Sequence, residues 1–137
     1  MDLDEARAFV RENHRAVLAT YRTDGHAQLS PVLAGVDPEG RLEISSNEPK
    51  AKVRNLRRDP RASVLVMTDR FFERRWIQIE GTAEILTLPE AIEPLLGYER
   101  RMSGEEPDRD EYLRAAVQSR AVLIRIAIER AGPDRRR

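Results

Sequence analysis

Short apolar runs separated by Gly, Pro and Asp turn signals recur along this chain, and they leave little choice of fold class. Arg15 to Tyr21 carries Ala-Val-Leu-Ala-Thr-Tyr, a run dense enough in apolar residues for a buried strand. Thr23-Asp24-Gly25-His26 then reads as a hairpin turn, with Asp-Gly supplying positive φ angles. Ala27 to Val36 follows as a second strand, in which Gln28, Ser30 and Val32 share one face and Leu29, Pro31 and Leu33 the other. Pro31 cannot donate to a ladder, which places that strand at an edge or a bulge. After the turn Asp37-Pro38-Glu39-Gly40, Arg41 to Ser46 directs Leu42 and Ile44 inward and Ser45 to the opposite face.

Farther along, Ala62 to Thr68 is continuously apolar and therefore central. Trp76 to Leu86 is a long strand in which Trp76 shares a face with Gln78 and Glu80, and Gly81 marks a bulge or bend. Ala121 to Ile128 is a last buried strand before a polar tail from Gly132 to Arg137. Helical spacing of apolar residues marks Asp2 to Asn13, Pro89 to Met102, and a segment capped by Asp108 or Asp110 that ends near Ser119. Some six antiparallel strands with helices outside them predict an α+β domain, mainly β, built as a small barrel. Asp69 to Arg75 is read as a loop whose Phe71 and Phe72 wall a pocket or, as the preferred reading, fold back on the core.

Between the third and fourth strands lies the most distinctive local sequence. Five of the nine residues from Lys50 to Arg58 are basic, and the only two lysines of the chain, Lys50 and Lys52, both lie there. Ser46 or Asn47 is placed to cap a helix, with Pro49 in its first turn. Asp59-Pro60 ends that helix, because the residue before a proline is driven from the α region. A helix start has free N–H groups and the positive end of the dipole, and two ammonium groups beside it make an anion site. A solvated charged face is the alternative meaning of the same pattern.

Composition narrows the function classes. At 137 residues the chain, 1–137, is read as one domain, and its formal net charge of zero argues against a general nucleic-acid binder. No apolar run approaches the ~20 residues of a membrane span, and the N-terminus lacks the layout of a signal peptide, so a cytoplasmic protein is expected. With no cysteine, thiolate nucleophiles and cysteine metal sites are excluded. His14 and His26 have no clustered partner ligands, so no metal site is expected.

Gln28-Leu-Ser30, Asp37-Pro38, the run from Pro49 through Lys52, Asn55-Leu56 and Asp59-Pro60 to Ser63, and Glu80-Gly81-Thr-Ala83 together resemble the pyridoxamine 5'-phosphate oxidase-like superfamily. Within it, the chain is similar to the actinobacterial flavin/deazaflavin oxidoreductases that use coenzyme F420. The resemblance covers about Val17 to Ile85 well and the closing strand loosely.

This resemblance implies a split β-barrel homodimer with its cofactor in a groove between subunits. Lys50, Lys52 and Asn55 would hold the cofactor phosphate, joined by backbone N–H groups near Ser46 and Asn47. Gln28, Ser30, Val32 and Ser45 would line the ribityl chain and ring edge, and Trp76 would approach from the other subunit. The implied reaction is F420H2-dependent hydride transfer to an unsaturated, tetrapyrrole- or quinone-like small molecule. An FMN-dependent oxidoreductase of the pyridoxamine phosphate oxidase type and a non-catalytic carrier of flavin, deazaflavin or haem are the alternatives. Arg54, Arg57 and Arg58 would suit the oligoglutamate tail of F420.

Overall fold

Turn chemistry and apolar alternation produce one curled sheet. The computed structural model describes residues 1–70 and 72–136; Phe71 and Arg137 lie outside the described residues. The described strands are β1 (Arg15–Tyr21), β2 (Ala27–Leu33), β3 (Gly35–Val36), β4 (Leu42–Asn47), β5 (Arg61–Met67), β6 (Arg75–Leu86) and β7 (Ala121–Arg136). The helices are α1 (Leu3–Glu12), α2 (Ala51–Arg58), α3 (Ile92–Ser103) and α4 (Arg109–Ser119). All seven strands join one sheet in the order β2-β1-β5-β6-β7-β4-β3. Its pairings are antiparallel throughout, and the sheet curls into the half-barrel of an α+β split-barrel fold, as expected.

Burial follows the period-two pattern. Leu18, Val64, Val66, Ile77, Ile79, Ile44 and Ile126 are fully buried inside the curl, where Ala6, Phe9 and Val10 of α1 close it. Each such side chain contributes roughly 1.5–3 kcal/mol from apolar burial. Asp2 starts α1 by accepting from the Asp4 and Glu5 amides. A second cluster forms where Ala91, Leu95 and Tyr98 meet Leu123 on β7. The apolar β5 lies between β1 and β6, and Pro31 sits on the edge strand β2, both as their sequences require.

Several expectations need correction. The second strand does not run unbroken to Val36. The Ala34 amide turns to the His14 carbonyl, and Gly35–Val36 pairs instead with Leu42 and Glu43. In the first hairpin turn Gly25 has the positive φ, 85°. Asp24 contributes by accepting from the His26 amide at 3.0 Å rather than by a left-handed backbone. The segment from Gly132 is strand through Arg136, not a tail, because the first half of β6 needs a partner beyond its bulges. Arg75 fixes that pairing with two hydrogen bonds to the Asp134 carboxylate, both at 2.8 Å. Phe72 is 88% exposed and does not fold back on the core.

Candidate functional site

β4 runs on to Asn47, which pairs with Ala121, so Ser46 and Asn47 are strand residues and cap no helix. Lys50 takes the N-cap position of α2 without any side-chain cap, and Pro49 precedes the helix instead of opening it. The Val53 and Arg54 amides donate to the Lys50 carbonyl, at 3.1 and 3.2 Å, so it is the Ala51 and Lys52 amides that lack a side-chain cap. The amphipathic layout of α2 is as read: Val53 and Leu56 are buried, while Lys50, Arg54 and Arg58 face out.

Asn55 is 6% exposed and turned inward. Its Nδ2 donates to Thr20 Oγ1 at 3.1 Å, and its Oδ1 accepts from Arg58 Nη2 at 3.1 Å. Arg58 also donates to the Tyr21 carbonyl at 2.7 Å, and Arg57 is ion-paired with Glu48. Of the arginines expected to face a ligand tail, Arg57 and Arg58 are thus engaged within the chain, and Arg54 is exposed.

Beside the start of α2 lies a cavity of about 840 Å³, walled by β1, β2, β4, α3 and α4. Val32, Ser45, Ser46, Asn47, Lys50 and Lys52 all line it. Gln28 and Ser30 are half-buried on β2 but outside the cavity, as are the inward-turned Asn55 and the half-buried Trp76 of β6. Burial, and then the neighbouring Lys50, hold the Lys52 ammonium below its ordinary pKa. The Ser46 hydroxyl oxygen is buried and has no hydrogen-bond partner among the described residues. Asn47 Nδ2 donates to the Ser119 carbonyl at 3.2 Å and so ties the end of α4 to the cavity wall.

The opposite wall was not legible in the sequence. Leu95 and Tyr98 of α3, Tyr112 and Ala115 of α4, and Arg15 of β1 face the same space. Tyr98 donates to the Leu33 carbonyl at 2.7 Å, and burial pushes both tyrosine phenols up. Helical spacing placed the tyrosines on helices, but only the packing of α3 and α4 against the sheet turns them toward the lysines. Among the described residues lining the cavity there is no Asp, Glu, His or Cys. Nor does any group of at least three His, Cys, Asp or Glu side chains suit a metal ion among the described residues. An acid-free, aromatic-walled cavity with adjacent ammonium groups and an unsatisfied hydroxyl is chemically suited to a planar ligand bearing a phosphate.

A family model described as pyridoxamine 5'-phosphate oxidase matches residues 3–133. A conserved hypothetical protein from Mycobacterium tuberculosis, Rv2991, superposes with a TM-score of 0.77 at 28% identity, over 96% of this chain and 82% of that one. An F420 reductase superposes with a TM-score of 0.67 at 21% identity, over 92% and 94% of the two chains. HutZ, a haem storage protein from Vibrio cholerae, gives 0.70 at 19% identity over 98% and 96%. The last two likenesses are of fold alone.

Proposed function

This chain belongs to the pyridoxamine 5'-phosphate oxidase family, and on that premise we propose that it is an oxidoreductase that uses coenzyme F420 to reduce an unsaturated small molecule. The observation that carries this reading is the cavity itself: Lys50 and Lys52 both line it, no acidic side chain lines it among the described residues, and the Ser46 hydroxyl, which has no partner among them, belongs to the same lining. Lys50 and Lys52 would pair with the cofactor phosphate, and Ser46 Oγ would donate to the same end of the ligand. Leu95, Tyr98 and Tyr112 would cover the ring and keep water away from it. When bound, the deazaflavin supplies hydride; the protein supplies position and exclusion of solvent.

A homodimer completes the arrangement. Leu29 and Leu33 on edge strand β2 are 61% and 52% exposed, while their polar neighbours Gln28 and Ser30 are half-buried, the reverse of a solvent-facing strand. A second copy would cover these leucines and bring Trp76, which lies outside its own cavity, to the partner's site.

FMN shares the phosphate and is the nearest alternative. A haem carrier is the other alternative: the described cavity residues include neither His nor Cys, but Met67, Tyr98 and Tyr112 are of types that can ligate haem iron. Fluorescence titration with F420 and with FMN, on the wild type and on Lys52→Ala, tests the reading. F420 binding that weakens at least about tenfold in the variant is expected, the worth of about 1.4 kcal/mol. Preference for FMN, or no binding of either cofactor, overturns it.

A further inference from the structure

The inward face of α4 meets the cavity rather than the core. Tyr112, Ala115, Ala116 and Ser119 recur at the i, i+3, i+4, i+7 spacing of one helix face, and all four line the cavity. An amphipathic helix is ordinarily held to its domain by that face; here it forms one wall of about 840 Å³. Ala116 is the one buried residue of α4, whereas α1, α2 and α3 each bury three or more. Nine of its eleven residues are exposed, Leu113 and Val117 among them, so little burial holds it to the sheet.

The polar links of α4 are at its ends. Arg109 is ion-paired with Glu93, but both side chains are more than half exposed, and such pairs contribute little. At the other end the Ser119 carbonyl accepts from Asn47 Nδ2. Between them, Tyr112 is partly buried against the cluster of Ala91, Leu95 and Tyr98. Both flanks also have the backbone of a joint. Gly104 follows α3 with a φ of 77°, and a Cβ there would meet nothing within 4 Å. Arg120 ends α4 with a φ of 56°. Element-terminal positions of this kind absorb the backbone change of a hinge.

We propose that α4 is a lid, which opens to admit a ligand to the cavity and closes by packing its Tyr112–Ser119 face on the ligand's apolar body. Opening is local, because it exposes little that was buried. The inference deepens the proposed function and rests on this cavity being its site, whichever cofactor fills it.

Hydrogen–deuterium exchange of the full chain, read by mass spectrometry on peptides of α3 and α4, tests it without ligand and with saturating F420 or FMN. Without ligand, the α4 amides should exchange on the order of a hundredfold faster than those of α3. Bound cofactor should slow them at least about tenfold. Ala115→Leu gives α4 an apolar contact of its own inside the cavity, whereas Gln118→Leu alters a residue that does not line it. Ala115→Leu should slow α4 exchange about tenfold with no cofactor present, and Gln118→Leu should not. Leucine is no better a helix former than alanine, so propensity does not produce that difference. Exchange of α4 at the rate of α3, or α4 exchange that a bound cofactor leaves unchanged, overturns the lid. So does an Ala115→Leu protein no better protected than Gln118→Leu. A protein that binds neither cofactor, with fast α4 exchange slowed by Ala115→Leu alone, keeps the lid and removes the F420 reading.

Discussion

Arg101 on α3 donates from Nε and Nη2 to both carboxylate oxygens of Glu43 on β4, at 2.6 and 2.7 Å, and Glu43 is fully buried. Space for the pair comes from two glycines. A Cβ on Gly97 would lie 2.9 Å from Arg101 Nη2, and one on Gly35 would lie 3.1 Å from Glu43 Oε2. The pair fixes α3 to the sheet, and α3 carries Leu95 and Tyr98 into the cavity.

Removing one partner leaves a buried charge without compensation. Arg101→Leu should destabilise the protein by about 3 kcal/mol, and adding Glu43→Leu to it should recover much of that loss. Urea denaturation of the two variants measures both steps. An Arg101→Leu protein as stable as the wild type would show that the pair does not anchor α3.

Gly81 answers to a different constraint. A Cβ there would come within 2.1 Å of the Ala127 carbonyl oxygen, a backbone atom that has no rotamer to escape into. Gly81→Ala should therefore cost about 2–4 kcal/mol, seen as a drop in Tm, with no direct effect on the cavity.

Lys52 sets a pH dependence with a definite sign. Burial and the adjacent Lys50 lower its folded pKa below the ordinary 10.5. Between the lowered value and 10.5, the unfolded chain binds more protons than the folded one, so ligand-free stability should rise with pH across that window. Anion affinity should fall over the same range, as the ammonium that attracts the anion is lost. Phosphate titrations at several pH values, repeated on Lys50→Gln, check this: the midpoint should move up when the like charge is removed.

Asn55 separates the role implied by resemblance from the role its contacts support. Its amide is engaged by Thr20 and Arg58, so Asn55→Ala should lower stability by about 1–3 kcal/mol through the unsatisfied buried Thr20 hydroxyl. Phosphate affinity, by the same reasoning, should change much less than in Lys52→Ala. An equal loss of affinity in both variants, at unchanged stability, would assign Asn55 to the anion instead.

The exposed leucines of β2 give a prediction about assembly. Light scattering should return the mass of two chains, and Leu33→Arg should shift the population toward one by placing a charge on the apolar face. A wild type that stays monomeric at high concentration would remove the dimer.

The chain's local signals decided most of the strands and the basic helix, Ala51–Arg58, because alternation, turn residues and charge placement act over a few neighbours. The family resemblance, rather than local pattern, singled out Val32, Ser45, Ser46, Asn47, Lys50 and Lys52, which tertiary packing brings to one cavity, together with Gln28, Ser30, Asn55 and Trp76, which lie outside it. What local signals could not decide were contacts between distant segments. That β7 continues to Arg136 depends on β6 offering it a ladder, and that Asn55 turns inward depends on Thr20 lying beneath α2. Arg15 and Tyr112 are 97 positions apart in the sequence and have no local motif. Only the curl of the sheet and the docking of α3 and α4, driven by burial of Leu95, Tyr98 and Ala116, bring them to one cavity.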